Sequence, residues 1–246
     1  MKTRPIIALL FAFVFAAASA QTIVSRSIPV QKGQNIRMKF DYPKLVKVST
    51  WDKSEISFEG RVSINGGEND DAFKLEVNTS GNEISLRNEI TGMNSLPHRI
   101  TIMKDGEKMV FKNKTEWRKY SDEHGGGYSM KNEGVDIDIQ LEIKVPKNTE
   151  TNVESVYGFV EVKDFTGPIS VEATYGGIDA SLTENSLGEL IAETNYGHIY
   201  TNLNVKFNNL NSRDEDFHTY VSVKPGTGPR YNFESKYGNV YLRKLN

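Results

Sequence analysis

The sequence predicts an all-β protein whose main part is a β-solenoid, a stack of coils of about 20 residues each. Three observations predict it. The pattern Glu-x-x-Tyr-Gly-x-[Ile/Val] occurs four times, short runs alternate apolar and polar residues, and no stretch has a helical period of any length. We expect an N-terminal β-rich half over 21–90, an insertion over 91–134 and solenoid repeats over 135–246.

The repeat is too regular to be chance. With 11 Tyr and 20 Gly in 246 residues, a shuffled chain would contain about one Tyr-Gly pair. The four copies are Glu154–Val160, Glu172–Ile178, Glu193–Ile199 and Glu234–Val240. Their tyrosines lie 18, 21 and 41 residues apart, so the last gap spans two periods. A degenerate copy is therefore expected near 216–220, with Phe217 in the place of the Tyr.

Each Tyr-Gly pair is predicted to be a corner of a coil. Small or apolar residues four and two positions before the Tyr share one face of an extended chain, and apolar residues three and five positions after it share the other face. Both sets can point inward only if the chain bends between them. Glycine would permit a backbone conformation that a β-carbon opposes, and each Tyr would stack on the Tyr of the next coil. The corner residues are Tyr157, Gly158, Tyr175, Gly176, Tyr196, Gly197, Tyr237 and Gly238.

The glutamate of each copy is predicted to point outward. Glu154, Glu172, Glu193 and Glu234 would form a column of carboxylates at strand spacing, which is repulsive unless basic neighbours offset it. The column is either a solvated strand face or a binding site for a cation or an amine of a sugar polymer. The last coil would leave an open edge guarded by Arg243 and Lys244, where a partner could add a strand.

The first twenty residues have the pattern of an export segment. Lys2 and Arg4 precede an apolar run over 6–17, and Ala18-Ser19-Ala20 is typical of a cleavage site. A retained anchor is the alternative, although the run is short for a membrane span.

Without Lys2 and Arg4 the chain has 28 basic and 32 acidic residues, which does not favour a nucleic-acid partner. The absence of cysteine excludes disulfides, thiolate sites and a lipid-modified cysteine.

The insertion over 91–134 interrupts the alternation. Asp105-Gly106 is typical of a hairpin turn, 115–120 could form a second hairpin or a short helix, and Gly125-Gly126-Gly127 indicates a loop. Trp117 and Tyr120 could form an aromatic platform for a glycan, or they could anchor the insertion on its own domain. Trp51 is expected in the core.

Metal and cofactor sites are not predicted. His198 and His218 lie about one coil apart and could stack as ligands, but no carboxylate stands at clear ligand spacing. The acidic runs at 68–71 and 214–216 lack the twelve-residue pattern of a calcium loop, so polar turns are the favoured interpretation.

These coils resemble the bacterial adhesin-like proteins of the DUF4097 type. The resemblance rests on the Tyr-Gly-x-[Ile/Val] coils, on Val145–Asn148 leading into them, and on Lys47–Ile56, with Tyr42-Pro43 as a further corner. It covers nearly all of the chain after residue 20 except 91–134. It implies a β-solenoid of the cell envelope with an adhesin-like role, and it carries no catalytic residues to transfer.

Three hypotheses of function follow. The first is an exported, non-enzymatic protein, periplasmic or at the cell surface, that binds a surface, a glycan or an envelope protein through its repeated face. The second is a glycan-acting enzyme that uses a groove beside the insertion. The third is an envelope signalling or assembly partner that binds protein by strand addition.

Overall fold

The computed structural model describes residues 21–207 and 217–245. In this part of the chain nineteen strands form three sheets, and one α-helix is present. The predicted all-β class is confirmed. No helix within these residues has the length and apolar character needed to cross a membrane. The predicted export segment, residues 1–20, lies outside the described residues.

The first large sheet has eight strands. In order across the sheet they are β1 (Thr22–Pro29), β4 (Glu55–Ile64), β10 (Ile137–Pro146), β3 (Leu45–Trp51), β12 (Phe159–Val162), β14 (Ile178–Leu182), β19 (Val240–Lys244) and β16 (Ile199–Thr201).

The second large sheet also has eight strands. In order they are β17 (Thr219–Val223), β15 (Glu189–Thr194), β18 (Arg230–Ser235), β13 (Ile169–Ala173), β11 (Thr151–Ser155), β2 (Asn35–Phe40), β6 (Glu83–Ile90) and β5 (Phe73–Ser80). Both sheets are open in the described part of the chain, with β1, β16, β17 and β5 as edge strands.

The chain alternates between the two sheets. In each Tyr-Gly copy the strand before the Tyr belongs to the second sheet and the strand after the Gly belongs to the first, as in β11 and β12 or β13 and β14. We call each such pair of strands, one in each sheet, a coil. Neighbouring coils pair in parallel and in register, so that Val153 lies beside Val171 and Val160 beside Ile178. Parallel pairing of short apolar strands buries both the core residues and the backbone between adjacent coils.

The core lies between the two sheets. The expected inward residues of the first, second and fourth copies are buried on both sides of the corner, among them Val171, Ala173, Ile178 and Ala180. The third copy differs after its Gly, where Ile199 is half-buried and Thr201 is exposed. There Leu203 is buried against the core, and Val205 and Phe207 pack against it. These residues cover the end of the core next to β16.

The order of the coils differs from the order of the sequence. The coil formed by β18 and β19 lies between the second and third copies, because β18 pairs with both β13 and β15 and β19 pairs with both β14 and β16. Phe233 therefore fills the space between Val171 and the small Ala192. The expectation that Arg243 and Lys244 guard an open edge was wrong, since β19 lies between β14 and β16 in the first sheet. Arg243 forms an ion pair with Asp179 on β14.

The expected insertion contains the third sheet and the helix. Strands β7 (Arg99–Lys104), β8 (Glu107–Phe111) and β9 (Met130–Gly134) pair antiparallel in the order β8-β7-β9, and α1 spans Lys114–His124. Asp105-Gly106 turns the hairpin between β7 and β8, with φ values of +52° and +83°. Asn113 caps α1 by accepting a hydrogen bond from the Glu116 N–H at 3.0 Å. The segment has a separate small core of Ile100, Ile102 and Phe111.

Candidate functional site

The four corner tyrosines form one continuous stack on the outside of the coils. Ring centroids are 5.2 Å apart between Tyr157 and Tyr175, 5.2 Å between Tyr175 and Tyr237, and 5.1 Å between Tyr237 and Tyr196. Phe217 extends the stack at 6.0 Å from Tyr196, in the place predicted for the degenerate copy. The tyrosines are 44–61% exposed, so their hydroxyl edges face solvent while their ring faces cover one another.

The corner glycines are required by close approach of the neighbouring coil. A β-carbon on Gly176 would collide with the carbonyl oxygen of Gly158, and one on Gly238 would collide with that of Gly176. The same holds for Gly197 against Gly238 and for Gly158 against Pro43. None of these glycines is among the residues with positive φ. The sequence-based reason, a conformation that a β-carbon opposes, was therefore wrong, and the contact between coils takes its place.

In three of the four copies the small residue two positions before the Tyr has a further role, whereas the second copy has Ala173 there, which carries no hydroxyl. The Ser155 hydroxyl donates to the carbonyl oxygen of Gly158 at 3.1 Å, within its own corner. The hydroxyls of Ser235 and Thr194 donate to the corner carbonyls of the neighbouring coils, Gly176 and Gly238, at 2.9 and 2.8 Å. These buried hydroxyls satisfy carbonyl groups that the bend removes from regular pairing. Sequence reasoning assigned these positions by size alone.

The four glutamates form a row on the outer face of the second sheet, beside the tyrosine stack. Glu154 lies opposite Glu172, Glu172 opposite Glu234, and Glu234 opposite Glu193. Neighbouring strands lie about 4.8 Å apart, so the carboxylates repeat at that spacing. We call the surface made by Glu154, Glu172, Glu193 and Glu234 with Tyr157, Tyr175, Tyr196 and Tyr237 the ladder face.

In the described part of the chain, side-chain partners meet only the two ends of the glutamate row. Lys39 occupies the matching position on β2, and its Nζ lies 2.5 Å from Glu154 Oε1. At the other end His218 Nε2 lies 2.7 Å from Glu193 Oε1. Among the described residues, Glu172 and Glu234 have no ion-pair partner within 4.0 Å. Partial burial, and after it the charges of Glu193 and Glu172, raise the pKa of Glu234 above its ordinary value.

The aromatic pair of the inserted segment lies away from the ladder face, in the small third-sheet unit. Trp117 packs on that unit's core, with Lys131 Nζ 3.3 Å from its ring centroid and Tyr128 at its edge. Tyr120 stacks on His124 at 4.3 Å and contacts Phe111. Because side chains of the segment cover these rings, the arrangement favours anchoring of the insertion over a glycan platform.

The remaining polar candidates fall in three places. His198 lies at a corner next to β16, with its backbone N–H bonded to Asn239, whereas His218 lies beside β17 on the other sheet. Glu68 binds Arg99 and Lys112 and helps to join the insertion to the first sheet. The acidic run at 214–216 lies outside the described residues. Within 21–207 and 217–245, no group of three or more His, Cys, Asp or Glu side chains is placed to hold a metal ion.

Comparison with known proteins gives two structural matches. A crystal structure from Clostridium sporogenes ATCC 15579, named as an inferred cell adhesion protein, has a TM-score of 0.45 and 10% identity over 92% of this chain and 100% of its own. One from Bacteroides fragilis NCTC 9343, named as an inferred adhesin, has a TM-score of 0.22 and 12% identity over 92% of this chain and 99% of its own. These values transfer no function.

No family model and no curated protein matches the sequence. The resemblance to the DUF4097-type family therefore stays a prediction.

Proposed function

We propose that this protein is an exported, non-enzymatic binding protein of the bacterial cell envelope with an adhesin-like role, and that the ladder face is its binding surface. We also propose that its alternating coils are a β-solenoid of the DUF4097 type. The observation that carries the binding proposal is the register of the ladder face. Four copies of one sequence pattern place the same two side chains side by side on adjacent strands.

The geometry of the stack limits how a partner can touch it. Both faces of Tyr175, Tyr237 and Tyr196 are covered by neighbouring rings at 5.1–6.0 Å. A sugar ring therefore cannot lie flat on them, as it would on an isolated aromatic side chain. The accessible groups are ring edges and phenol hydroxyls, which donate and accept hydrogen bonds. The tyrosines therefore present a row of hydroxyl groups for hydrogen bonding, bordered by apolar ring edges.

The charge of the row favours a partner with repeated cations. Glu172 and Glu234 carry adjacent carboxylates without a basic partner among the described residues. An amine placed between them would remove their mutual repulsion and gain a charge-assisted hydrogen bond. One such contact on an exposed strand is weak, but several at a fixed spacing on one polymer add through effective concentration. An amine-bearing polysaccharide fits this pattern, and so does a lysine-rich surface.

Retention on chitosan beads tests the proposal, at a pH where the polymer amines are charged. We expect the wild-type chain to be retained and to elute as salt screens the exposed charges. The double variant E172Q/E234Q should lose retention while keeping its circular dichroism spectrum, since glutamine preserves size and relieves repulsion.

A matched control exists on the first sheet. Glu59 and Glu142 also face one another on adjacent strands, on the outer face of the other sheet. The variant E59Q/E142Q makes the same change in net charge and should be retained like the wild type. If both double variants lose retention equally, net charge and not the ladder face explains binding to the beads. If the wild-type chain cleaves chitosan or another polymer, the protein is an enzyme and the proposal of a non-enzymatic binding protein is wrong.

A further inference from the structure

A cavity of about 610 Å³ lies at the second set of bends, where the chain leaves the first sheet for the next coil. It is formed at the carboxyl ends of β3, β12, β14 and β19 and at the start of β18. Its volume is in the range of small-molecule sites. The cavity is separate from the ladder face, because the corner tyrosines and glutamates are not among its lining residues.

Three aromatic side chains line this cavity, Trp51, Phe165 and Tyr231. Phe165 and Tyr231 are buried, and the Tyr231 hydroxyl donates to the carbonyl oxygen of Phe165 at 3.2 Å. Trp51 is half-buried, and its indole N–H donates to the carbonyl oxygen of Glu55 at 2.7 Å. Lys53 does not line the cavity, and its Nζ lies over the Trp51 ring, 4.6 Å from the ring centroid. The expectation of a core Trp51 is thus only half met.

The polar lining centres on Asp164. Its backbone is in the left-handed region at φ +48°, and its carbonyl oxygen accepts from the Thr50 hydroxyl at 2.8 Å. The backbone is therefore fixed, while the carboxylate has no ion-pair or hydrogen-bond partner among the residues described. Strained positions of this kind are enriched at binding sites.

Further polar groups line the cavity beside Asp164. Lys147 Nζ binds Asp52 at 2.7 Å. The remaining hydroxyl groups come from Thr166, Ser181, Thr183 and Ser186.

We propose that this cavity binds a sugar residue of a neutral glycan. A pyranose presents an apolar C–H face, which suits Trp51, and a rim of hydroxyls, which suits a carboxylate acceptor and several Ser and Thr hydroxyls. The charged groups offset one another in part, so the cavity does not call for a charged ligand. An adjoining cavity of about 430 Å³ shares Lys147 and gives room for a second sugar unit.

Tryptophan fluorescence provides the test, because Trp51 and Trp117 are the two tryptophans of the chain. In a W117F background the emission reports on Trp51 alone. We expect at least one of cellotriose, maltotriose and mannotriose to give a saturable emission change, matched by heat of binding in calorimetry. The variant D164N should weaken that affinity at least about tenfold, which corresponds to about 1.4 kcal/mol.

The control is Asp105, another exposed aspartate with a left-handed backbone, at φ +52° in the hairpin of the insertion. D105N should bind the sugar like the parent, and both variants should fold, since asparagine tolerates this conformation. Two results would overturn the proposal: none of the three sugars binds, or D164N binds as tightly as D105N. Neither bears on the ladder face, whose test depends on Glu172 and Glu234.

Discussion

The coils and the inserted segment are stabilised in different ways. In the coils each side chain lies beside its counterpart on the next coil, as Tyr175 does between Tyr157 and Tyr237. In the inserted segment a core of Ile100, Ile102 and Phe111 is closed by single, unlike contacts such as Lys131 on Trp117. In the coils the same residue type is therefore needed at the same position of every copy, whereas each contact in the inserted segment occurs once.

The join between the two regions is polar. Arg99 is buried and bridges from β7 to Glu68 at 2.5 Å and to the carbonyl oxygen of Lys112 at 3.1 Å. Asn65 donates to the carbonyl oxygen of Pro97 at 2.9 Å. Met93 and Leu96 also pack against the main core, whereas the third sheet and α1 surround a core of their own. We therefore expect the two regions to unfold separately.

The largest effect is expected from Gly176→Ala. The new β-carbon would collide with the Gly158 carbonyl, which is backbone and held between coils, so we expect a loss of about 3 kcal/mol or more in unfolding free energy. Urea denaturation measures it. Gly126→Ala is the matched change in the insertion, where nothing lies within 4 Å, and it should cost less than about 0.5 kcal/mol. Equal stabilities would refute the close approach of coils.

Phe233→Ala tests the observed coil order. Phe233 is fully buried between Val171 and Ala192, and its removal should cost about 3–5 kcal/mol in the main unfolding transition. Ile102→Ala, also at a fully buried site, should destabilise only the inserted segment. If both variants shift the same transition equally, the two regions form one cooperative unit.

Shortening the aromatic stack should have a graded effect. Tyr175→Leu removes two ring contacts and Tyr157→Leu removes one, and each contact contributes about 0.5–1.5 kcal/mol. We therefore expect the first variant to lose about twice as much stability as the second, by urea denaturation at matched pH. Equal losses would show that burial, rather than stacking, dominates.

Glu234→Gln should stabilise the fold at neutral pH by a few tenths to about 1 kcal/mol, because it removes like-charge repulsion on the strand. The folded-state pKa of Glu234 lies above its ordinary value of 4.5. In the wild type its carboxyl therefore adds stability below that value, and the contribution is lost as pH rises through the raised pKa. The advantage of the variant should shrink on acidification.

Glu154→Gln is the control for this pH dependence, because Glu154 binds Lys39 and its replacement should give no gain. A gain in both variants would contradict the specific crowding at Glu234.

The smallest effect on the coils is expected from deletion of 112–127, which removes α1 and its flanking loop. The main urea transition should keep its midpoint, while the near-ultraviolet dichroism of Trp117 disappears. Global unfolding would show that the coils need the insertion.

The repeat allowed much of the coil geometry to be predicted. The pattern around Tyr175 predicted the corner, the inward residues on both sides and the outward Glu172. The spacing of the four copies predicted the place of Phe217. The coil order could not be predicted, because four copies of one pattern pair equally well in several orders. The observed order places the large Phe233 beside the small Ala192, and such a match of volumes is not visible in the spacing of the repeat.

Other features depend on contacts distant in sequence. The sequence could not show that Lys39 would meet Glu154, since 115 residues separate them. Nor could it bring Trp51, Asp164 and Tyr231 to one cavity, because Trp51 ends β3, Asp164 follows β12 and Tyr231 lies in β18. For Gly176 the sequence predicted a corner that needs glycine, but it gave backbone conformation as the reason. The actual reason is the Gly158 carbonyl, which belongs to another coil.

Backbone amide NMR of the labelled chain with a glucosamine hexamer tests binding at the ladder face, because it reports on the ladder face, the cavity and the insertion at once. We expect shifts centred on Glu172 and Glu234, extending to Tyr175 and Tyr237 and absent from α1. Shifts centred on Trp117 and Tyr120, or none on the ladder face at saturating hexamer, would contradict it.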